Sequence, residues 1–363
     1  MKHLAWLFVF FLYSGLYAQN NEVWTAFWNN DTTLIGFKDE AGETVIPPKF
    51  MGLTMAHQLE HIMAVMETTP DGFDSYYLTK NLKVVGRDSI YFWDNAPDCE
   101  SEGFIRFHDK HTDRVGMLNR NGEVVIPAEY NMLSRVMNGM VVALKGARKH
   151  CDKHEKHSGC QHFRWKGGQT HLIDTANNML VKDFPMEFDL DFYSITKGAT
   201  PTDETTKMSF LGVDGRHYTF VNFTCDFKAW FFSDLLRGFS VKKLINIAHD
   251  SVAYWDQERK WVVESGKAFA QQNFSFINEE WARLQNGSVE YDFFIESLNP
   301  YIYTAPEFQR YFNNCLEGMD WRYPVMNLVI TGKRRGDFYQ NSYQFLKTEV
   351  GYRMISVSIQ NRE

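Results

Sequence analysis

Cysteine is scarce: five residues, Cys99, Cys151, Cys160, Cys225 and Cys315, are spread over 363. So few across that length exclude a disulfide-built scaffold and leave one thiol over, so an apolar core must hold the fold. The chain also lacks a basic excess. Its 38 Lys and Arg face 45 Asp and Glu, a net charge of -7, whereas nucleic-acid binding needs a basic stripe to neutralise phosphates. The one short basic run, Lys333-Arg334-Arg335, reads as a charged hairpin turn. Beyond the amino terminus no apolar run is long enough to span a bilayer. There is no nucleophile elbow, phosphate loop, HExxH pair or kinase set. What is present, 44% hydrophobic and 16% aromatic residues, suffices for a folded core, and the length suggests about two domains.

The first eighteen residues have the layout of a cleavable secretory signal. Lys2 and His3 precede an apolar stretch from Leu4 to Leu16, and Leu16-Tyr17-Ala18 leads into polar Gln19-Asn20-Asn21. The stretch is shorter than the roughly 20 residues of a membrane helix. The expectation is an exported mature chain starting near Gln19, periplasmic, in the cell envelope or secreted.

A repeat occupies the next part. The segment IGFKDEAGETVIPPKF from Ile35 recurs as VGMLNRNGEVVIPAEY from Val115, which aligns Gly36 with Gly116, Gly42 with Gly122 and Pro47 with Pro127. The offset is 80 residues, and a degenerate middle copy without glycines lies halfway, at Tyr77 to Val85. Two further copies run from Leu172 to Val181 and from Phe210 to Tyr218, the last with Asp214-Gly215 at its turn. Each unit reads as a β-hairpin, with short β-prone runs flanking a dipeptide that accepts positive φ. Pro47-Pro48 and Pro127 are expected to terminate strands, since proline offers no N–H to a ladder. One hairpin cannot bury its own apolar face, so a period near forty implies stacked units: a propeller-like or solenoid array. Gly36, Gly42, Pro47, Gly116, Gly122, Pro127 and Gly215 are accordingly expected to be structural.

These residues resemble the WG-repeat family, whose units run Trp-Gly, Phe, a Gly-containing turn, then Val-Ile-Pro-Pro and an aromatic. Ile35 and Val115 stand where the family has its tryptophan. Gly103-Phe104-Ile105-Arg106-Phe107 and Gly139-Met140-Val141-Val142-Ala143 fit the family's Gly followed by an apolar triplet. The resemblance implies a β-rich repeat used for scaffolding or binding and no particular activity.

Between the third and fourth units the spacing grows to about 55, and residues 147–163 form an insert with four His and two Cys within thirteen residues. Three readings stay open. A Cys151–Cys160 disulfide would brace the loop, the loop could be solvated with free thiols, or Cys151, His154, His157 and Cys160 could hold zinc tetrahedrally. His108-Asp109-Lys110-His111 reads as a charged turn between repeat strands.

From residue 225 to 363 the pattern changes to that of an α+β domain. Val241, Leu244, Ile245, Ala248, Val252 and Trp255 share a helical face after a Ser240 cap, and Thr304-Ala305-Pro306-Glu307 resembles a capping box opening a helix toward Gly318. Three strand-like runs follow: Val325 to Thr331, Phe338 to Leu346 and Tyr352 to Ile359. Helices first and an antiparallel meander last make this part similar to a nuclear-transport-factor-like cone fold. Trp261, Trp281, Tyr291, Tyr301, Tyr303 and Trp321 are aromatics that could line a pocket there.

The expected organisation is thus a signal peptide at 1–18, a repeat domain at 19–224 and an α+β domain at 225–363. The expected function is an exported binding or scaffolding protein that engages a protein or glycan partner through its β-repeat surface. The alternative is an envelope enzyme with a site in the carboxyl-terminal domain or a zinc ion at the His/Cys loop. No other cofactor, no nucleic acid and no transmembrane segment after signal cleavage are expected.

Overall fold

The computed structural model describes residues 22–93, 95–151, 163–186, 189–256, 260–334 and 337–359. Five β-hairpins stand at the five repeat positions. Their strands are Leu34–Lys38 with Thr44–Met51, Gly72–Thr79 with Val84–Val85, Arg114–Asn119 with Val124–Tyr130, Gln169–Asp174 with Met179–Val181, and Lys207–Leu211 with His217–Asn222.

All five turns share one geometry. The third loop residue is Gly42, Leu82, Gly122, Asn177 or Gly215, each with φ between 61° and 83°. The residue that opens each loop both donates to and accepts from the backbone across it, as in Gly122 N to Asn119 O at 2.8 Å and Asn119 N to Glu123 O at 2.9 Å. This is a three-residue loop closed by a left-handed residue, rather than the two-residue turn expected from Asn121-Gly122. The opening side chain supports it: Asp39, Asn119 and Asp174 each accept from the N–H four residues on.

The Gly and Pro of the motif belong to one device. Pro47, Pro48 and Pro127 do not end strands as expected; they lie inside Thr44–Met51 and Val124–Tyr130. The ladder skips there, pairing Ile35 with Phe50 and Phe37 with Ile46, and Val115 with Tyr130 and Met117 with Ile126. Such a bulge tolerates residues without an N–H. It presses against the single residue opposite, where a Cβ on Gly36 would lie 2.5 Å from Ile46 O and one on Gly116 2.7 Å from Ile126 O.

A further strand precedes every hairpin: Trp24–Trp28, Ile62–Thr69, Phe104–Asp109, Met140–Lys145 and Leu190–Gly198. In the first four units it pairs with the first hairpin strand, and in the fifth with the second. The sheets hold seven, three, four and three strands rather than repeating as identical blades. Their cores are shared between neighbours. Met63 and Val65 pack toward the first unit, while Ile62, Ala64 and Met66 on the same strand pack toward Ile105 and Leu118 of the third. Val141 and Ala143 face the third unit, and Met140 and Val142 face the fifth.

The carboxyl-terminal part is mostly sheet. Its six strands run in the spatial order Lys260–Ser265, Ala248–Asp256, Gly351–Ser358, Asp337–Thr348, Val325–Arg334, Glu290–Glu296, with one parallel pair, Ala248–Asp256 beside Gly351–Ser358. The helices are α1 (Phe223–Ala229), capped by Asn222, α2 (Val241–Ile247), capped by Ser240, and the long α3 (Gly266–Gln285). With the sheet they enclose a core that includes Phe227, Phe231, Trp281, Tyr343 and Phe345. Two expected helices change. The first stops at Ile247, because the chain turns extended at Ala248 and Val252 alternates with its neighbours on a strand. The second is a 3-10 turn, Pro306–Tyr311, without a side-chain cap.

Residues 297–324 form a strap over the opposite face of this sheet, where Leu298, Tyr303 and Phe308 cover Leu346 and Ile355. The strap also reaches the repeats. Asn314 O accepts His57 N at 2.8 Å and Gln58 N at 3.0 Å, and Cys315 is disulfide-bonded to Cys99 inside the core of the first two units. This disulfide joins residues 216 positions apart. Cys225 is free and exposed.

Three outcomes are expected in thermal and urea denaturation. Gly116→Ala lowers stability by about 1–3 kcal/mol through overpacking, whereas Leu82→Gly relieves a left-handed leucine and raises it by up to about 1 kcal/mol. Cys315→Ser, or reductant on the unmodified chain, lowers stability by about 2–5 kcal/mol; an unchanged midpoint would show that the strap holds without its covalent tie.

Candidate functional site

The site is built from the irregular segments between repeat strands. After the second hairpin, Tyr91 N donates to Tyr77 Oη, while that hydroxyl donates to Arg106 O. The chain then forms a small hairpin, Phe92–Trp93 with Ala96–Pro97, that leaves Phe92 46% and Trp93 57% exposed. Beneath it lies a buried ion pair: the Arg106 guanidinium is bonded to Asp98, donates to Leu133 O at 3.0 Å and stacks 4.6 Å from the Tyr91 ring centre.

The insert supplies the facing wall. Its described residues form a two-stranded ribbon, Arg148–Cys151 with Phe163–Lys166, that grows between Met140–Lys145 and Gln169–Asp174. Cys151 pairs across it with Phe163, and Lys149 with Trp165, so alternation places all four on one ribbon face. Phe163 and Trp165 meet edge to face at 5.1 Å, and Lys149 Nζ sits 4.5 Å from the Phe163 ring centre. Between ribbon and aromatic hairpin is a groove of about 510 Å³ lined by Tyr91, Phe92, Trp93, Phe163, Trp165 and Met186 among others. A second lobe of about 340 Å³ shares Trp93, Met132 and Met186 with it. The strap contributes Asp320 and Trp321 to that lobe. There Arg135 stacks 4.0 Å from the Trp321 ring centre and bonds Glu317 at 3.2 Å.

Asp113 ties the ribbon to the turn that follows Phe104–Asp109. Its carboxylate accepts from Lys149 Nζ at 2.8 Å and lies 3.1 Å from His108 Nε2. Partial burial opposes its charge, but the hydrogen bonds and positive charges of Lys149 and His108 outweigh burial and hold the carboxyl below the usual carboxylate range.

The expected site residues fall out as follows. His154, His157 and Cys160 lie outside the described residues; Cys151 is disulfide-bonded. Gly36, Gly42, Gly116, Gly122, Gly215, Pro47 and Pro127 all sit in the hairpins described above and line neither lobe; Gly122 lines a separate surface cleft with Arg87 and His111. Of the six carboxyl-terminal aromatics, Trp321 alone lines the described groove, while Trp281 and Tyr303 are core residues and Tyr301 is exposed. The buried acid of that domain, Glu280, is 4% exposed and accepts from Tyr343 and Asn341; burial pushes its carboxyl up. Glu60, His61 and Glu100 cluster within 4.8 Å, but Glu100 is taken up by His61 N, Ile62 N and the His61 ring. Phe92, Trp93, Phe163 and Trp165 were not singled out from the sequence; the Tyr91-Phe92-Trp93 run before Asn95-Ala96-Pro97 and the alternation of Phe163 with Trp165 were the available signals.

A row of three-stranded hairpin units carrying an aromatic groove defines a β-repeat protein. Residues 116–147 match the family model of the WG containing repeat, a segment that runs from the glycine facing the bulge to the first strand of the next unit. No curated protein and no solved structure matches the chain, and the nuclear-transport-factor-like resemblance gains no support from these comparisons.

Because the folded Asp113 carboxyl lies below its unfolded value, its contribution is complete above about pH 4 and is lost as pH falls through the folded value. The protection of Arg148–Cys151 and Phe163–Lys166 against hydrogen exchange, taken relative to unstructured amides at the same pH, is therefore expected to fall on acidification below that point. In Asp113→Asn the lower protection is expected already at neutral pH.

Proposed function

We propose that this chain is an exported binding or scaffolding protein that engages a protein or glycan partner through its β-repeat surface, at the aromatic groove. The observation that carries the reading is the convergence of exposed rings from two separate segments, Phe92 and Trp93 with Phe163, on one concave site. Exposed aromatics cost solvation unless a partner covers them, and a rigid ring anchors a partner at little entropic cost. Export is supported by the leader-like sequence of residues 1–18 and by the disulfides at Cys99–Cys315 and Cys151, which persist in oxidising compartments. No helix among the described residues is long and apolar enough to cross a membrane.

In this reading the carboxyl-terminal domain is a platform. Its six-stranded sheet carries the strap, which completes the second lobe through Trp321. The enzymatic alternative would call on Glu280, which is closed off from solvent by Tyr343 and Asn341.

The test is capture of envelope components and a glycan array with the full chain, beside Trp93→Ala and Phe163→Ala. The expected result is a partner whose binding falls at least tenfold in both variants while the melting temperature is unchanged, as for an interface anchor. Capture indifferent to both substitutions would remove the groove from the function.

A further inference from the structure

The groove's walls and charges specify more than a generic partner. Its rings come from opposite sides: Phe92 and Trp93 on one hairpin, Phe163 and Trp165 on the ribbon. A ligand between them needs an apolar face to lie on an aromatic ring. Aromatic faces alone would also suit a greasy side chain, so the polar lining decides.

That lining is charged, and in the larger lobe the two signs balance. In the larger lobe Asp113 is held between Lys149 and His108, and Asp88 and Lys110, one of each sign, complete the charged residues. In the second lobe the Arg106 guanidinium is neutralised by Asp98 and that of Arg135 by Glu317, while Asp320 accepts from Ser297 Oγ and has no cation beside it among the described residues. The larger lobe therefore carries no excess charge that would select an ionic ligand, and the lone carboxylate of the second lobe disfavours an anionic one. Paired charges still have hydrogen-bonding capacity to spare: a carboxylate has about four acceptor positions, an ammonium three donors and a guanidinium five. A site that sets donors beside acceptors suits a group that both donates and accepts, which is a hydroxyl. Hydroxyls around the edge of a ring whose faces carry C–H groups describe a pyranose.

Size agrees. The lobes, about 510 and 340 Å³, adjoin at Trp93, Met132 and Met186. Each lies in the range of small-molecule sites, and two adjoining lobes give room for more than one sugar unit. We infer that the groove between the Phe92–Trp93 hairpin and the Phe163–Lys166 ribbon binds an uncharged oligosaccharide, its rings stacked on Trp93 and the ribbon aromatics and its hydroxyls bonded to the Asp113–Lys149–His108 cluster. This rests on the binding function proposed above and names its ligand class.

The experiment uses the full chain with cellohexaose, xylohexaose, mannohexaose and chitohexaose as probes, read by tryptophan fluorescence and calorimetry, and an acidic glycan and a random peptide library in parallel. At least one neutral hexasaccharide is expected to bind, with affinity changing less than twofold between low and physiological salt, since no net charge is screened. Trp93→Ala is expected to weaken it more than tenfold, Trp93→Phe to restore most of it, and Trp261→Ala, exposed on the far edge strand, to leave it unchanged. Asp113→Asn is expected to weaken binding without a change in melting temperature beyond a few degrees. No neutral saccharide bound, but a peptide bound in a Trp93-dependent way, would overturn the carbohydrate assignment and leave the binding function standing. An acidic glycan bound in preference, with steep salt dependence, would overturn the neutrality of the site. Trp93-independent behaviour of every probe would overturn both readings.

Discussion

A strand that is apolar on both faces cannot stop at one neighbour, and this constraint organises the first two thirds of the molecule. Ile62–Thr69 and Met140–Lys145 each send alternate residues into two different cores. Fully burying an Ile, Val or Met side chain stabilises by about 1.5–3 kcal/mol, so a unit that loses either neighbour forfeits the burial of several. The row is therefore cooperative along its length, in the way of repeat arrays, and its surplus apolar surface must be covered by something that is not a repeat. The strap does this in part: Cys315 enters the core of the first two units, and Trp321 packs against that of the fourth and fifth.

The groove follows from the same architecture. Much of the groove is lined by what joins the repeat strands: the hairpin after the second unit, the turn after Phe104–Asp109, the ribbon grown from the fourth unit and the strap. Such connecting segments run over the surface of a rigid frame. The frame is stiffened where it matters by the buried Arg106–Asp98 pair under the aromatic hairpin, an ion pair that also closes backbone acceptors at Leu133.

The hairpins were legible because their signals are local. Asp39, Asn119 and Asp174 at loop starts and glycine at three of the five left-handed positions mark turns within a span of five residues. The middle unit was harder because Leu82 takes the left-handed position without a glycine to announce it. The prolines were misplaced because a bulge in mid-strand and a strand end present the same missing N–H; what separates them is Gly36 or Gly116 on the partner strand, a cross-strand relation. Val252 and Trp255 lie on a strand and not on the expected helix, since apolar residues three and four apart also fit a strand that is buried on both faces, as Ala248–Asp256 is in part. The tryptophans and phenylalanines of the groove were present as residues and invisible as a site.

By itself the sequence determined the repeat period, the turn positions, the length of the insert and the strands of the final meander, because each rests on interactions that close within a few residues. Only the tertiary structure decided that Cys99 meets Cys315, that Trp93 faces Phe163 and that the strap's Trp321 joins them. Those pairings depend on how units stack and where the second domain docks, which are sums of many weak apolar contacts between distant parts of the chain, and no short stretch of residues encodes such a sum.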